Sequence, residues 1–212
     1  MLNDGQEIAL GGADKGLIVV LSAPAGTGKT TLVRRLIQEF PNVVPGCSYT
    51  TRQPRANETN GVDYNFVTEQ EFKQRIEDGD FLEHVQLYGF HYGTSRSWVQ
   101  AQCDAGKRVV LVIDTQGALQ LRKCKERKIR AAFIFVAPPS MEELHRRLMK
   151  RKTESPEVIA QRLALARKEV EARVHYDYLI VNDDLDVAYD ALKSIIIAEE
   201  HRIVQLPNIG AS

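Results

Sequence analysis

Apolar runs and amphipathic stretches alternate along this chain with a regular beat. Residues 17–21 (Leu-Ile-Val-Val-Leu), 109–113 (Val-Val-Leu-Val-Ile), 132–136 (Ala-Phe-Ile-Phe-Val) and 178–181 (Tyr-Leu-Ile-Val) are short runs with no polar position inside them. Such runs, rich in β-branched side chains, predict strands buried on both faces. After Gly28 the period changes: Leu32, Leu36 and Ile37 share one helical face, Arg34, Arg35 and Gln38 fall off it, and Pro41 ends it. Further amphipathic stretches lie at roughly residues 115–127, 140–150, 156–173 and 185–203. Strands alternating with helices predict an α/β fold, a parallel-sheet core with helices on both faces.

Residues 47–95 break that beat. They carry Pro54, Gly61, Gly79, Gly89 and Gly93 and most of the aromatics, Tyr49, Tyr64, Phe66, Phe72, Phe81, Tyr88, Phe90 and Tyr92 among them. The composition predicts a small mixed α/β lobe inserted between two strand–helix units.

Composition narrows the function classes. The 212 residues are 43% hydrophobic and 26% charged, with 28 Lys and Arg against 28 Asp and Glu. Zero formal charge gives no overall field to draw in nucleic acid or a membrane surface, and neither is expected as a partner. One segment departs from neutrality: residues 146–173 hold nine Lys or Arg against four Glu. That excess reads either as a solvated helix face or as a surface that meets phosphates. Cys47, Cys103 and Cys124 have no metal-ligand spacing and fit reduced thiols, so a cytoplasmic setting is expected. Residues 1–15 lack the basic start and apolar stretch of a signal peptide and read as a flexible leader. No apolar run reaches membrane-spanning length.

Directly after the first strand comes Ala23-Pro-Ala-Gly-Thr-Gly-Lys-Thr30, then a helix. Glycines let the backbone curl so that consecutive N–H groups point at a phosphate, and the helix N-terminus adds its positive dipole end. The residues in this cradle are Ala25, Gly26, Thr27, Gly28, Lys29, Thr30 and Thr31, with Lys29 reaching the β- and γ-phosphates and the Thr30 hydroxyl on Mg²⁺. The motif opens on Ala23 where the usual pattern has glycine. It points to a nucleoside triphosphate and is silent about the acceptor.

The inserted lobe offers acceptor chemistry. Arg52 and Arg55 flank Pro54, and two guanidinium forks held by a stiff backbone suit one phosphate monoester. Taken alone they read equally well as exposed arginines in a turn. The phenols of Tyr64 and Tyr92 add O–H donors. Glu83, in Phe-Leu-Glu-His, suits a base with two adjacent donors: guanine presents N1–H beside a 2-amino group, whereas adenine presents an acceptor at N1. Spacing alone reads Glu83 more readily as a solvent-facing strand residue. Thr94 and Ser48 complete a possible base-reading set.

Taken together, Ser-Ala-Pro-Ala-Gly-Thr-Gly-Lys-Thr, Thr-Thr-Arg-Gln-Pro-Arg, Asn-Gly-Val-Asp-Tyr-Asn-Phe-Val (60–67), Phe-Leu-Glu-His, Tyr-Gly-Thr-Ser, Ile-Asp-Thr-Gln-Gly (113–117), Ala-Pro-Pro-Ser (137–140) and Val-Asn-Asp-Asp-Leu-Asp (181–186) follow in order. This succession resembles guanylate kinase over roughly residues 16 to 204. The resemblance implies transfer of a phosphoryl group from ATP to GMP with Mg²⁺, and a chain divided into a core (15–46, 96–138 and 174–205), a GMP-binding lobe (47–95), a helical lid (139–173) and the leader (1–14). It implies that the base meets Ser48, Glu83, Thr94 and Asp114 and that the phosphate meets Arg52, Arg55, Tyr64 and Tyr92. Lid residues Arg147, Arg151 and Arg162 would reach the transferring phosphoryl, and Asn182 would lie near the adenine. ATP and GMP are the implied partners, the assembly a monomer or homodimer.

Two positions depart from the family's strings. Val112 stands where an Asp is common, and Arg151 lies between lysines rather than glycines, which implies a stiffer, more basic lid turn. No general base is needed, because the acceptor oxygen is already anionic. The five histidines read as surface or packing residues, and Trp98 as packing between lobe and core. Two alternatives stand beside this reading: a kinase of another small acceptor such as a different nucleoside monophosphate or a ribose bisphosphate, and an inactive guanylate-kinase-like interaction module.

Overall fold

The computed structural model describes residues 16–124, 130–150 and 155–202. The apolar runs become strands β1 (Leu17–Ser22), β7 (Arg108–Val112), β8 (Ala131–Ala137) and β9 (Tyr178–Val181). A short edge strand, β2 (Val43–Pro45), completes a five-stranded parallel sheet in the order β2-β7-β1-β8-β9. Three residues are too few to show a period, so β2 was invisible to patterning. Its Pro45 is tolerable because the strand lies at an edge.

Successive residues of β1 feed opposite layers. Leu17, Val19 and Leu21 pack with α1 (Lys29–Glu39) and α7 (Leu185–Glu200), through Leu32, Leu36, Tyr189, Leu192 and Ile196. Ile18 and Val20 pack with α3 (Arg96–Asp104) and α4 (Thr115–Lys123), through Val99, Cys103, Ala118 and Leu121. A strand covered on both faces favours apolar residues throughout, and in β1 only Ser22, its last residue, is polar. Trp98 packs against this second layer.

The chain leaves β1 for α1 on one face and leaves the adjacent β7 for α4 on the other. The carboxyl ends of β1 and β7 therefore flank a topological switch point, where an open α/β sheet leaves a crevice. The loops that follow them carry Gly26 to Gly28 and Asp114.

The inserted segment forms its own sheet in the order β4-β3-β6-β5, from β3 (Tyr49–Thr50), β4 (Asn65–Phe66), β5 (Phe81–Leu87) and β6 (Phe90–Ser95), with helix α2 (Glu69–Glu77). Thr68 and Glu71 start α2 with a capping box, each side chain accepting from the other's backbone N–H at 3.2 and 2.8 Å. β5 turns into β6 through Tyr88 (φ 53°) and Gly89 (φ 83°), a two-residue turn with both φ positive. A register slip between Phe81 and Glu83 then brings Glu83 opposite Thr94.

Helices α5 (Met141–Lys150) and α6 (Pro156–Glu171) pack on each other through Leu144, Leu148, Ile159 and Ala166. Ser155 caps α6 by accepting from Val158 N–H, with Pro156 in its first turn. A 3-10 turn (Ala172–His175) leads on to β9. Among the described residues no helix is long and apolar enough to cross a membrane. The expected leader and Arg151 lie outside the described residues.

Candidate active site

The loop between β1 and α1 turns twice through positive φ, at Gly26 (97°) and Gly28 (93°), values that strain any residue with a Cβ. Gly28 is also the residue before α1, so the helix starts with no side-chain cap, as suits a helix N-terminus that meets an anion. Thr27 anchors the loop from below. Its hydroxyl donates to Pro24 O at 2.8 Å, and its own carbonyl accepts from Asn182 Nδ2 at 2.5 Å. Asn182, expected beside adenine, is thus buried under the loop with its amide committed to holding it. A methyl on Gly26 would stand 3.0 Å from Leu148 and 3.2 Å from Leu144, so the cradle rests directly against α5.

Lys29 is half-buried, and its Nζ donates to the carbonyl of Ala23 at the end of β1. Burial lowers the lysine pKa, while the carboxylates of Glu169 on α6 and Asp114 pull it back up. Ala25, Thr30 and Thr31 are exposed.

Arg147 is held in place rather than loose in solvent. Its Nε donates to Glu143 at 2.7 Å and its Nη1 to Asn182 O at 2.9 Å, the residue whose side chain clamps Thr27. Glu143 takes two further bonds from Arg146 at 2.7 and 2.8 Å, and these arginines hold its carboxyl down at about 2. Arg162 is half-buried on α6.

Across the crevice lies a cavity of about 210 Å³. Ser48, Tyr64, Glu83, Tyr92 and Asp114, all expected at the acceptor, line it together with an apolar wall of Val85, Leu87, Val112 and Ile113 and the exposed ring of Tyr88. Glu83 is 4% exposed, so the solvent-facing alternative falls. Its Oε1 accepts the Thr94 hydroxyl at 2.6 Å. Burial pushes the Glu83 carboxyl up to about 7, Thr94 opposes the rise, and the Asp114 charge adds to it. Asp114 caps α4 by accepting from Gly117 N–H at 2.8 Å; burial raises its pKa, while the Gly117 and Gln116 N–H groups and the Lys29 charge lower it. Lys29 and Asp114 therefore feel each other across the switch point.

The residues expected at the acceptor phosphate divide. Arg52 is half-buried, its guanidinium 5.4 Å from the Tyr64 ring centre, whereas the Arg55 side chain is 76% exposed. Both are tied by Glu58: Oε1 accepts from Arg52 Nη2 at 2.9 Å and Oε2 from the Arg55 backbone N–H at 2.8 Å. Tyr64 and Tyr92 meet edge to face at 6.0 Å. Burial raises the Tyr64 pKa, which keeps its phenol a donor.

Sequence reasoning missed Glu58, Glu169 and the hairpin residues Leu87 and Tyr88. Glu58 had a signal, an acid three residues after Arg55 in one turn. Glu169 had none, because only the packing of α6 carries it toward Lys29.

Known proteins match this chain over most of its length. The family model described as guanylate kinase matches residues 15–199. A guanylate kinase of Protochlamydia amoebophila is 59% identical over 195 residues, covering 92% of this chain and 97% of that protein. One from Chlamydia felis is 48% identical, covering 88% and 90%. A crystal structure of guanylate kinase from Anaplasma phagocytophilum superposes with a TM-score of 0.70 at 34% identity, covering 89% of this chain and 88% of that one. With the glycine loop and the Glu83 cavity at one switch point and these likenesses spanning nearly the whole chain, the protein belongs to the guanylate kinase family, enzymes that phosphorylate GMP to GDP.

Proposed function

We propose that the chain transfers the γ-phosphoryl of ATP to GMP, and to dGMP, by in-line displacement with Mg²⁺ and closure of the α5–α6 lid. The observation that carries the reading is the buried Glu83 in a cavity that faces the loop lysine. Its carboxylate suits the paired donors of guanine and leaves adenine's N1 without a partner. The inclusion of dGMP follows from the base and phosphate that it shares with GMP.

The acceptor oxygen is anionic near neutral pH and needs no base, so catalysis reduces to positioning and charge neutralisation. Arg52, Arg55, Tyr64 and Tyr92 orient the acceptor phosphate. Lys29 and the loop N–H groups hold the donor phosphates, and Arg147, Arg151 and Arg162 neutralise the equatorial oxygens while the lid excludes water. Among the described residues no three His, Cys, Asp or Glu gather as a metal cage. That fits Mg²⁺, which keeps several waters and takes one or two protein oxygens beside substrate phosphates. Thr30 would supply such an oxygen, and Asp114 would serve the ion through hydrogen bonds to its waters. When bound, the ion would offset the charge of the donor phosphates.

ADP release coupled to a spectrophotometric readout, with GMP, AMP, UMP and CMP side by side, tests the reading. GMP should exceed the others by at least ~10³-fold in kcat/KM. Comparable turnover of AMP would refute the role of Glu83, and equal turnover with no nucleotide acceptor present would refute the whole assignment.

A further inference from the structure

Gly117 occupies the third position of α4 and is buried. Alanine is the best helix former and glycine among the worst, so a glycine here needs a reason. Its backbone gives none: Gly117 is absent from the positive-φ glycines, and its N–H makes an ordinary cap bond to Asp114. The reason lies outside the helix. A methyl group on Gly117 would run into Glu83 Oε2, standing 3.1 Å from Glu83 Cδ and 3.2 Å from Asp114 Oδ1.

A methyl there would push the carboxylate toward the cavity that Glu83 and Asp114 line, away from the position it holds now. Glu83 is buried, with its other oxygen taken by Thr94. The strand that carries it is tied to the same face of α4, since His84 N–H donates to Gln120 Oε1 at 3.1 Å, one helical turn beyond Gly117. β5 and α4 are thereby linked beside Gly117, and the carboxylate occupies the space that a side chain there would fill.

We propose that Gly117 is a specificity-determining residue: the gap it leaves between α4 and β5 seats the Glu83 carboxylate beside Asp114, so that two acidic groups meet the donor edge of guanine. The inference rests on the reading of Glu83 as the base-recognising group. A base with two adjacent donors gains most from this arrangement, and inosine monophosphate, which lacks the 2-amino group, gains less. Displacing the carboxylate should therefore cost GMP more than inosine monophosphate, because positioning errors near 1 Å are expensive where hydrogen bonds are buried.

The test compares Gly117→Ala with Gly117→Ala/Glu83→Asp, where the shorter acid draws the carboxylate back from the added methyl. Glu83→Asp and Glu83→Gln serve as references. Gly117→Ala should raise KM for GMP at least ~10-fold and reduce the GMP to inosine monophosphate preference by a similar factor, with KM for ATP within ~2-fold of wild type. The double variant should recover part of that preference, so that the two losses do not multiply. An unchanged preference in Gly117→Ala, or losses that multiply, would overturn the inference. Thermal melts accompany the kinetics. A single variant that fails to fold beside a double variant that folds supports the contact; two that fail make Gly117 a packing glycine and overturn it. If Glu83→Gln itself leaves GMP kinetics intact, the base-reading role falls; if it does not and Gly117→Ala behaves as wild type, only the glycine's role falls.

Discussion

Binding of GMP should release a proton from Glu83 near neutral pH. The buried carboxyl sits at about 7 in the free protein, against 4.5 as its ordinary value. A carboxylate accepts from both guanine donors, whereas the neutral acid places its own O–H against one of them. GMP thus selects the ionised form. With a pKa of about 7, roughly half the sites are protonated at pH 7 and about nine-tenths at pH 6, so affinity should weaken about 10-fold between pH 8 and pH 6. The groups that face Glu83 set the sign. Thr94 donates to it and Asp114 repels its charge, while Asp114 in turn interacts with Lys29 and Glu169.

The GMP phosphate also titrates, with a second pKa near 6, and must be separated. Calorimetry of GMP alone, in two pH 7 buffers of different ionisation enthalpy, counts the protons; Glu83→Gln keeps the phosphate contribution and loses the carboxyl. Wild type should release about 0.5 proton more than the variant. Equal counts would refute the reasoning, as would tighter wild-type binding at pH 6. The same displacement fixes a stability trend. The folded state holds a proton that the unfolded chain has lost between pH 4.5 and about 7. Stability from this group is therefore full below pH 4.5 and declines by roughly 3 kcal/mol as pH rises through that window. Glu83→Gln should flatten the decline in urea melts.

Lys29→Ala should cut turnover by at least ~10³-fold while circular dichroism stays native, and a variant with normal turnover would remove the cradle assignment. Glu58→Ala removes the carboxylate that holds Arg52 Nη2 and the Arg55 backbone N–H, and should raise KM for GMP about 10-fold with little change in KM for ATP, since it leaves Arg52 charged but less firmly aimed. An unchanged KM for GMP would reduce Glu58 to a turn residue. Tyr88→Asn replaces a residue strained at φ 53° with one that tolerates that region and should stabilise the fold by about 1 kcal/mol in urea melts. A loss of stability would mean that the ring of Tyr88 packs better than its exposure suggests.

What was legible in the chain, and what was not, follows the range of the interactions concerned. The cradle is one short stretch of backbone, so Gly28, Lys29 and Thr30 carry its chemistry in adjacent letters. The central strands are legible for a related reason: a strand covered on both faces favours apolar residues throughout, and that bias is itself a local pattern. β3 and β4 are only two residues long and have no period to detect. Glu83 was legible by its chemistry but not by its burial, because the burial comes from a register slip in β5 and the approach of α4, tens of residues away. Glu58, Glu169 and Gly117 mark the further limit. Each acts by setting where another group stands, through a fork, a field or a missing methyl. A distance between two elements leaves no trace in the residues of either one. The electrostatics of the crevice have the same origin: Lys29 on α1, Asp114 before α4 and Glu169 on α6 come from three separate segments, yet burial lowers the lysine's pKa and raises that of both acids, with Glu169 reaching about 7. Phosphates entering beside Lys29 would favour its charged form and disfavour ionised Glu169. Filling the donor side should therefore change the protonation of the crevice before any bond is broken.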